Sequence, residues 1–302
     1  MQTLVNVCGA SRSGSTMLDV MLGNGTGAFS TGEVYALFRP WRKHHRAPVC
    51  ACGRTPCPVW EKIGNVPEKE FHRIVCETLE KSFVIDSSKD LIWLLDNQTW
   101  ARKSGMRVFN LVLYKPPLEL AYSQFKRGRD PLSWRDDFVA YHERLLDLGV
   151  PFVAVSYRAL AETPGKTLEK LCNHIGMEYV EGQEKADRVQ SHHLFGSFGL
   201  REQLRDGPLE IRDTASFDPA FENVKEEILD RISRDAKLAK LMRALKERDI
   251  ANIPETISED AFQRPLVWPV WYYARKLRNV VRRYFPQNFD APDAQERAVR
   301  PR

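Results

Sequence analysis

The 302-residue chain has no apolar run of the roughly 18 residues that a membrane-spanning helix needs. Its first residues carry no basic segment ahead of an apolar stretch, so no cleaved secretion signal is expected and a cytoplasmic setting is. Cysteine is scarce: six in a chain this long demand no disulfide framework, and Cys8 and Cys172, each in an apolar context, are expected as small buried hydrophobes. Excess charge of one sign is small too. Lys and Arg total 45 against 40 Asp and Glu, a net charge of +5, so the chain as a whole has the composition of an ordinary globular protein rather than that of a nucleic-acid coat or a disordered segment, and the small excess suits an anionic ligand. No internal repeat occurs, and 43% hydrophobic residues suffice for one sizeable core.

What the chain does have is a set of short, continuous apolar runs: "TLVNVC" (3–8), "FVIDSS" (83–88), "VFNLVLY" (108–114) and "FVAVSY" (152–157). Runs that do not alternate with polar residues mark strands buried on both faces of a parallel sheet. Helical patterns lie between them at 13–22, 68–81, 91–103, 117–126, 134–148 and 165–175. Strand followed by helix, repeated, predicts an α/β fold with a doubly wound parallel sheet flanked by helices. In such sheets ligands sit at the carboxyl ends of the strands, which makes "GASRSGST", "SSKD", "YKPP" and "YRAL" the segments of interest. Farther on, 191–202 reads as a loop and 224–248 as one amphipathic helix with Ile228, Ile232, Leu238, Leu241 and Leu245 inward.

"GASRSGST" (9–16) turns from the first strand into the first helix, and such a turn offers backbone N–H groups and a helix dipole to an anion. Gly9, Gly14 and Thr16 hold their places in the nucleotide-binding pattern G-x-x-x-x-G-K-[ST], but Ser15 stands where the lysine belongs. That absence counts against triphosphate hydrolysis, and Asp86 is the nearest candidate for a metal-binding strand-end aspartate. The cation is instead Arg12, followed by Ser13, a guanidinium suited to a terminal phosphate or sulfate. The same small residues would also serve a plain tight turn.

"GASRSGSTML" resembles the 5′-phosphosulfate loop of sulfotransferases that use 3′-phosphoadenosine 5′-phosphosulfate (PAPS), with Ser11, Arg12, Ser13, Gly14, Ser15 and Thr16 as donor-binding positions. About 100 residues on, that family has an arginine and, eight residues later, a serine, both on the donor's 3′-phosphate. "LVLYKPPLELAYS" (111–123) matches in place and spacing, with Ser123 on the serine and Lys115 at the arginine, a departure that substitutes a point charge for a bidentate fork. "VSYRALAETPGKTLEKLCNHIGMEY" (155–179) resembles the strand, turn and helix that follow, so the likeness spans about residues 3–205. The resemblance implies Glu33 of "FSTGEVYALFRP" as general base, as in tyrosylprotein sulfotransferases, with His44 and His45 as the runners-up. It implies Lys89 of "VIDSSKD" beside the departing phosphate, Ser197 and Arg201 of "GSFGLR" over the adenosine half, and no required metal. Without the resemblance, Glu33 reads as a helix-start dipole partner and Lys89 and Lys115 as solvated strand-end lysines.

The acceptor is expected to be a hydroxyl on a carbohydrate, lipid or small molecule. Two other readings remain open: a P-loop kinase or nucleotide hydrolase, and a catalytically silent membrane-peripheral binder. "CACGRTPCPVW" places Cys50, Cys52 and Cys57 together, but C-x-C followed by C-x₄-C is atypical for zinc. Similar segments in bacterial members of the resembled family imply a substrate-side loop, either disulfide-stapled or with reduced thiols. Residues 1–255 are expected to form the α/β domain and 287–302 a disordered tail. The aromatic and basic "RPLVWPVWYYARKLRNVVRRYF" (264–285), within a helix spanning 256–286, suits either a helix on anionic lipid or one packed on the core.

Overall fold

Five short strands form one parallel sheet: β1 (Thr3–Cys8), β2 (Ala28–Gly32), β3 (Phe83–Asp86), β4 (Arg107–Tyr114) and β5 (Val153–Ser156), in the order β2-β3-β1-β4-β5. The structure, a computed structural model, describes residues 1–185, 190–197 and 217–253, together with Tyr273, Ala274 and Leu277. β1 lies between β3 and β4, so the chain crosses from one side of β1 to the other and the strand order switches there. Crossovers run through α1 (Ser15–Gly23), α2 (Tyr35–Phe38), α3 (Pro58–Ile63), α4 (Phe71–Leu79), α5 (Leu91–Lys103), α6 (Pro117–Phe125) and α7 (Arg135–Asp147). After β5 come α8 (Tyr157–Glu162), α9 (Pro164–Ile175), α10 (Pro219–Ser233) and α11 (Ala236–Glu247).

Both faces of the sheet are covered, as continuous apolar strands require. Val5, Val7, Ile85, Leu111, Leu113, Val153 and Val155 pack on α1 and α9. Their alternates Cys8, Val112, Tyr114 and Ala154 pack on α5, α7 and α11, while Leu4 and Val84 meet α4 and α5. Cys8 and Cys172 are buried as expected, and all six cysteines are free thiols.

Three differences from the sequence reading have physical causes. β2, "AFSTG", contains no apolar run, and its register on β3 shifts between Ser30 and Gly32, where the Thr31 hydroxyl bonds the Ile85 carbonyl at 2.7 Å. β3 stops at Asp86 rather than running to 88, because the Asp86 carboxylate turns back to accept the Ser88 N–H at 2.9 Å. The single helix expected over 224–248 is two, since Asp235 starts α11 by accepting the Leu238 N–H at 2.9 Å and is gripped by Arg135 at 2.6 Å. Ile228, Leu238, Leu241 and Leu245 are nevertheless buried.

No described helix is long and apolar enough to cross a membrane. Residues 287–302 lie outside the described residues, as does the expected helix over 256–286 apart from Tyr273, Ala274 and Leu277, which are helical and exposed.

Asp19 of α1 is fully buried and accepts the Ser87 hydroxyl at 2.9 Å; burial pushes its carboxyl up to about 8. The folded chain therefore keeps this proton across a range in which the unfolded chain, with an ordinary value near about 3.9, has lost it. Stability attributable to Asp19 falls as pH rises from about 4 to 8, by up to about 1.4 kcal/mol per pH unit. Asp19→Asn is expected to flatten this slope and to exceed the native chain in stability near pH 8, measured by urea midpoints across the window; an unchanged slope means that Asp19 is ionised in the fold.

Candidate active site

The turn after β1 is shaped by contacts that only glycine accommodates. Gly14 adopts φ 98°, and a Cβ there would lie 2.5 Å from the ring of Tyr157, at the start of α8. Arg12 also holds a left-handed backbone, φ 72°, at the exposed rim beside Ser11. A non-glycine residue so placed costs about 1–3 kcal/mol, which the surrounding structure must sustain. Ser15 and Thr16 are buried in the first turn of α1, where backbone N–H groups have no intrahelical acceptor. The buried Ser13 hydroxyl has no hydrogen-bond partner.

The sheet order brings three of the predicted residues together. Lys89, after β3, donates from Nζ to the Glu33 carboxylate and, at 3.1 Å, to the Ser15 hydroxyl. Glu33 follows Gly32, whose φ of 77° and close approach to Leu194, 2.1 Å from an added Cβ to the carbonyl oxygen, exclude a side chain. The Glu33 N–H donates to that same carbonyl at 2.9 Å, so residue 194 fixes the base candidate from behind. Lys89 is left-handed as well, φ 62°, and its carbonyl accepts the Tyr141 hydroxyl at 3.0 Å. That hydroxyl in turn accepts the Gly9 N–H at 3.1 Å, tying the loop after β3 to the loop after β1. Burial, with the Cys8 thiol adding to it, holds the Tyr141 phenol well above its usual range, so its part is positional.

Positive charge gathers on the β4 side. Lys115 Nζ sits 3.7 Å from the centre of the Tyr157 ring. Burial pulls its ammonium down to about 8; Glu119 opposes this, while Lys126, Arg127 and Arg12 deepen it. Glu119 itself is engaged by Arg158 at 2.9 Å. Ser123, on α6, receives Arg127 at both its carbonyl and, at 2.7 Å, its hydroxyl. Partial burial lowers the Arg12 and Arg127 guanidinium values; Arg129 lowers both, and Arg12 also depresses Arg127. Five cations thus face one region whose nearest carboxylates, Glu33 and Glu119, are already paired, a field that favours a multiply charged anion.

Other expectations land elsewhere. Ser197 reaches the loop, its N–H donating to Thr16 Oγ1 at 3.3 Å, whereas Arg201 lies outside the described residues. His45 is buried, accepts the Trp41 N–H at 3.3 Å and packs edge-on against Phe195, with His44 against it, so this pair shapes a wall. Asp86 is no metal ligand in waiting: its oxygens accept from Ser88, Trp93 (2.7 Å), Asn97 (3.1 Å) and His72 (2.9 Å). Sequence reasoning missed Arg127, Arg129 and Tyr141. Arg127, four residues after Ser123, had a signal in its helical spacing; Tyr141, which meets Gly9 from 132 residues away, had none.

No family model matches the chain, and no curated protein matches it. Among solved structures it is similar to the sulfotransferase domain of an olefin synthase from Synechococcus PCC 7002, with 18% identity, 82% of this chain and 94% of that one covered, and a TM-score of 0.50. It is also similar to a sulfotransferase domain of the curacin biosynthetic pathway, with 14% identity, coverage of 82% and 98%, and a TM-score of 0.50. The shared property is the fold: a five-stranded parallel sheet flanked by helices.

Tyr141→Phe removes the hydroxyl that bridges Gly9 and Lys89 and leaves a buried N–H and carbonyl unpaired. The expected cost is about 1–3 kcal/mol in a urea titration. A cost below about 0.5 kcal/mol, the scale of a neutral surface change, means that the phenol does not hold the two loops.

Proposed function

We propose that the chain is a sulfotransferase that moves a sulfuryl group from PAPS to an acceptor hydroxyl. The observation that carries this reading is Lys89, whose ammonium reaches both the Glu33 carboxylate and the Ser15 hydroxyl of the anion loop. A base candidate, a cation and a phosphate cradle thereby meet at one point.

The residues fit the donor. Its 5′-phosphosulfate suits the first-turn N–H groups, Arg12 and the partnerless Ser13 hydroxyl. Its 3′-phosphate suits Ser123 with Lys115 and Arg127. The acceptor hydroxyl gives its proton to Glu33 as its oxygen forms the new S–O bond. The S–O bond to the 5′-phosphate breaks, and the charge left on that phosphate is met by Lys89 and Arg12. Drawing Lys89 toward the donor frees the Glu33 carboxylate oxygen that now accepts its ammonium, so that oxygen can accept the acceptor's proton instead. No observation favours the kinase reading, since Ser15 replaces the phosphate lysine and Asp86 is saturated by neighbours.

The test is calorimetric titration with 3′-phosphoadenosine 5′-phosphate, with ATP and Mg²⁺ in parallel. Selective binding of the 3′-phosphorylated nucleotide is expected, and binding of ATP alone, or of neither, overturns the reading. Glu33→Gln should leave that affinity nearly intact while turnover drops by about 10²–10⁴-fold. Ser123→Ala and Arg127→Ala should weaken nucleotide binding first.

Lys115 adds a pH dependence. Its protonated form attracts phosphate, and the free ammonium loses its proton near pH 8. Between about pH 7 and 8, where the 3′-phosphate with its second pKa near 6 is close to dianionic, affinity for the nucleotide should therefore hold, and above about 8 it should fall by up to roughly tenfold per pH unit. Lys115→Arg should abolish the decline. Parallel pH profiles of the two proteins would exclude Lys115 from the phosphate site.

A further inference from the structure

Cys50, Cys52, Cys57 and His192 stand apart from the proposed chemistry, yet they converge. One ligand atom from each lies within 4.8 Å of all the others. Cys57 Sγ is 3.3 Å and Cys50 Sγ 3.8 Å from His192 Nδ1. Zinc bonds of about 2.3 Å to sulfur and about 2.0–2.1 Å to nitrogen, arranged tetrahedrally, put ligand atoms about 3.5–3.8 Å apart. The two sulfur–nitrogen separations are therefore close to those of a filled site, and every other pair of ligand atoms lies within about 1 Å of closing to it.

The backbone holds the four residues in place without help from their side chains. The Gly53 N–H closes a turn onto the Cys50 carbonyl at 3.0 Å, with Gly53 at φ 75°, which brings Cys52 back beside Cys50. Residue 50 pairs with Leu194 as an antiparallel bridge, and the Ala51 N–H donates to the His193 carbonyl at 3.0 Å. Trp60 Nε1 clamps the His192 carbonyl at 2.6 Å. The four ligands come from segments 135 residues apart, which is why C-x-C and C-x₄-C spacing alone looks wrong for a metal: the fourth ligand is absent from the local pattern.

We propose that Cys50, Cys52, Cys57 and His192 form a closed, structural zinc site. Three thiolates and an imidazole in tetrahedral reach select Zn²⁺ over the hard divalent cations. Four protein ligands leave no position for water, so the metal takes no part in chemistry. Binding releases the three thiol protons and couples the metal to folding. Its mechanical effect is to anchor residues 192–197. From that strap Leu194 bonds Thr31 and Glu33 across the edge of the sheet, at 3.0 and 2.9 Å, and Ser197 reaches Thr16. This inference does not rest on the sulfotransferase reading, because metal content is measured without donor or acceptor.

The experiment is elemental analysis of the full chain, purified under reducing conditions without chelator, followed by replacement with Co²⁺. One zinc per chain is expected, and the cobalt form should show the intense visible bands and sulfur-to-metal charge transfer of a tetrahedral thiolate site. Cys57→Ser and His192→Ala should each lose the stoichiometric metal, while Cys76→Ser, at a buried thiol outside the cluster, keeps it. If either ligand variant fails to fold, the cobalt spectrum of the native chain decides. Absence of zinc together with absence of that spectrum after reduction and reloading overturns the proposal, as does a stoichiometric metal that survives both ligand variants.

Discussion

The contact on which the site depends is the one Lys89 makes with Glu33 and Ser15, because it joins the ends of three neighbouring strands. With each side chain of the ion pair about a fifth exposed, its contribution to stability is only about 0–1 kcal/mol. Its importance is positional. It requires left-handed backbones at Gly32 and Lys89, and the second of these is unfavourable for a lysine. The strain is held from both sides: Tyr141 grips the Lys89 carbonyl, and Asp86 fixes the preceding turn with its bonds to Ser88. The buried Asp86 network is thus the foundation of the site without being part of its chemistry.

Across the sheet switch point the electrostatics are unbalanced. Arg12, Lys115, Lys126, Arg127 and Arg129 repel one another, and the Lys115 ammonium near 8 reflects first its burial and then repulsion by Lys126, Arg127 and Arg12. Such a cluster costs the empty fold stability, and an anion that binds there recovers it as binding free energy. The cation–π contact with Tyr157 and the Arg127 bond to Ser123 keep two of these side chains ordered, so less entropy is lost when an anion arrives. The same Tyr157 ring closes over Gly14, which couples the shape of the loop after β1 to the charge after β4.

The inner strands were legible because both of their faces are buried, and a double burial writes a continuous apolar run. β2 was not, since an edge strand made of Ala, Phe, Ser, Thr and Gly has no such run and is held partly by the Thr31 hydroxyl. The break after Ser233 did leave a trace in the periodicity: Ile232 and Leu238 are separated by a step of six, which turns about 120° off the stripe on one continuous helix, and the residues between them are polar. For the candidate site, local motifs pointed to Arg12, Glu33, Lys89, Lys115 and Ser123. What they could not expose were partners supplied through tertiary contact, such as Tyr141 beneath Gly9 or His192 beside Cys57.

The strap at 192–197 shows how two such unreadable contacts can be one design. Leu194 bonds Thr31 and Glu33, Ser197 bonds Thr16, and Trp60 and Ala51 donate to the carbonyls of His192 and His193, while Leu194 and Phe195 pack among Ala36, Cys50 and Cys57; ordering this segment still costs entropy. A cross-link between residues 57 and 192 closes a loop of 135 residues, for which the chain-entropy model gives a gain on the order of 4–5 kcal/mol. That is comparable to what those five hydrogen bonds are worth together at about 1 kcal/mol each. A zinc ion at the cluster would therefore add to those bonds in holding Leu194 against Gly32, and Glu33 takes its position from that contact.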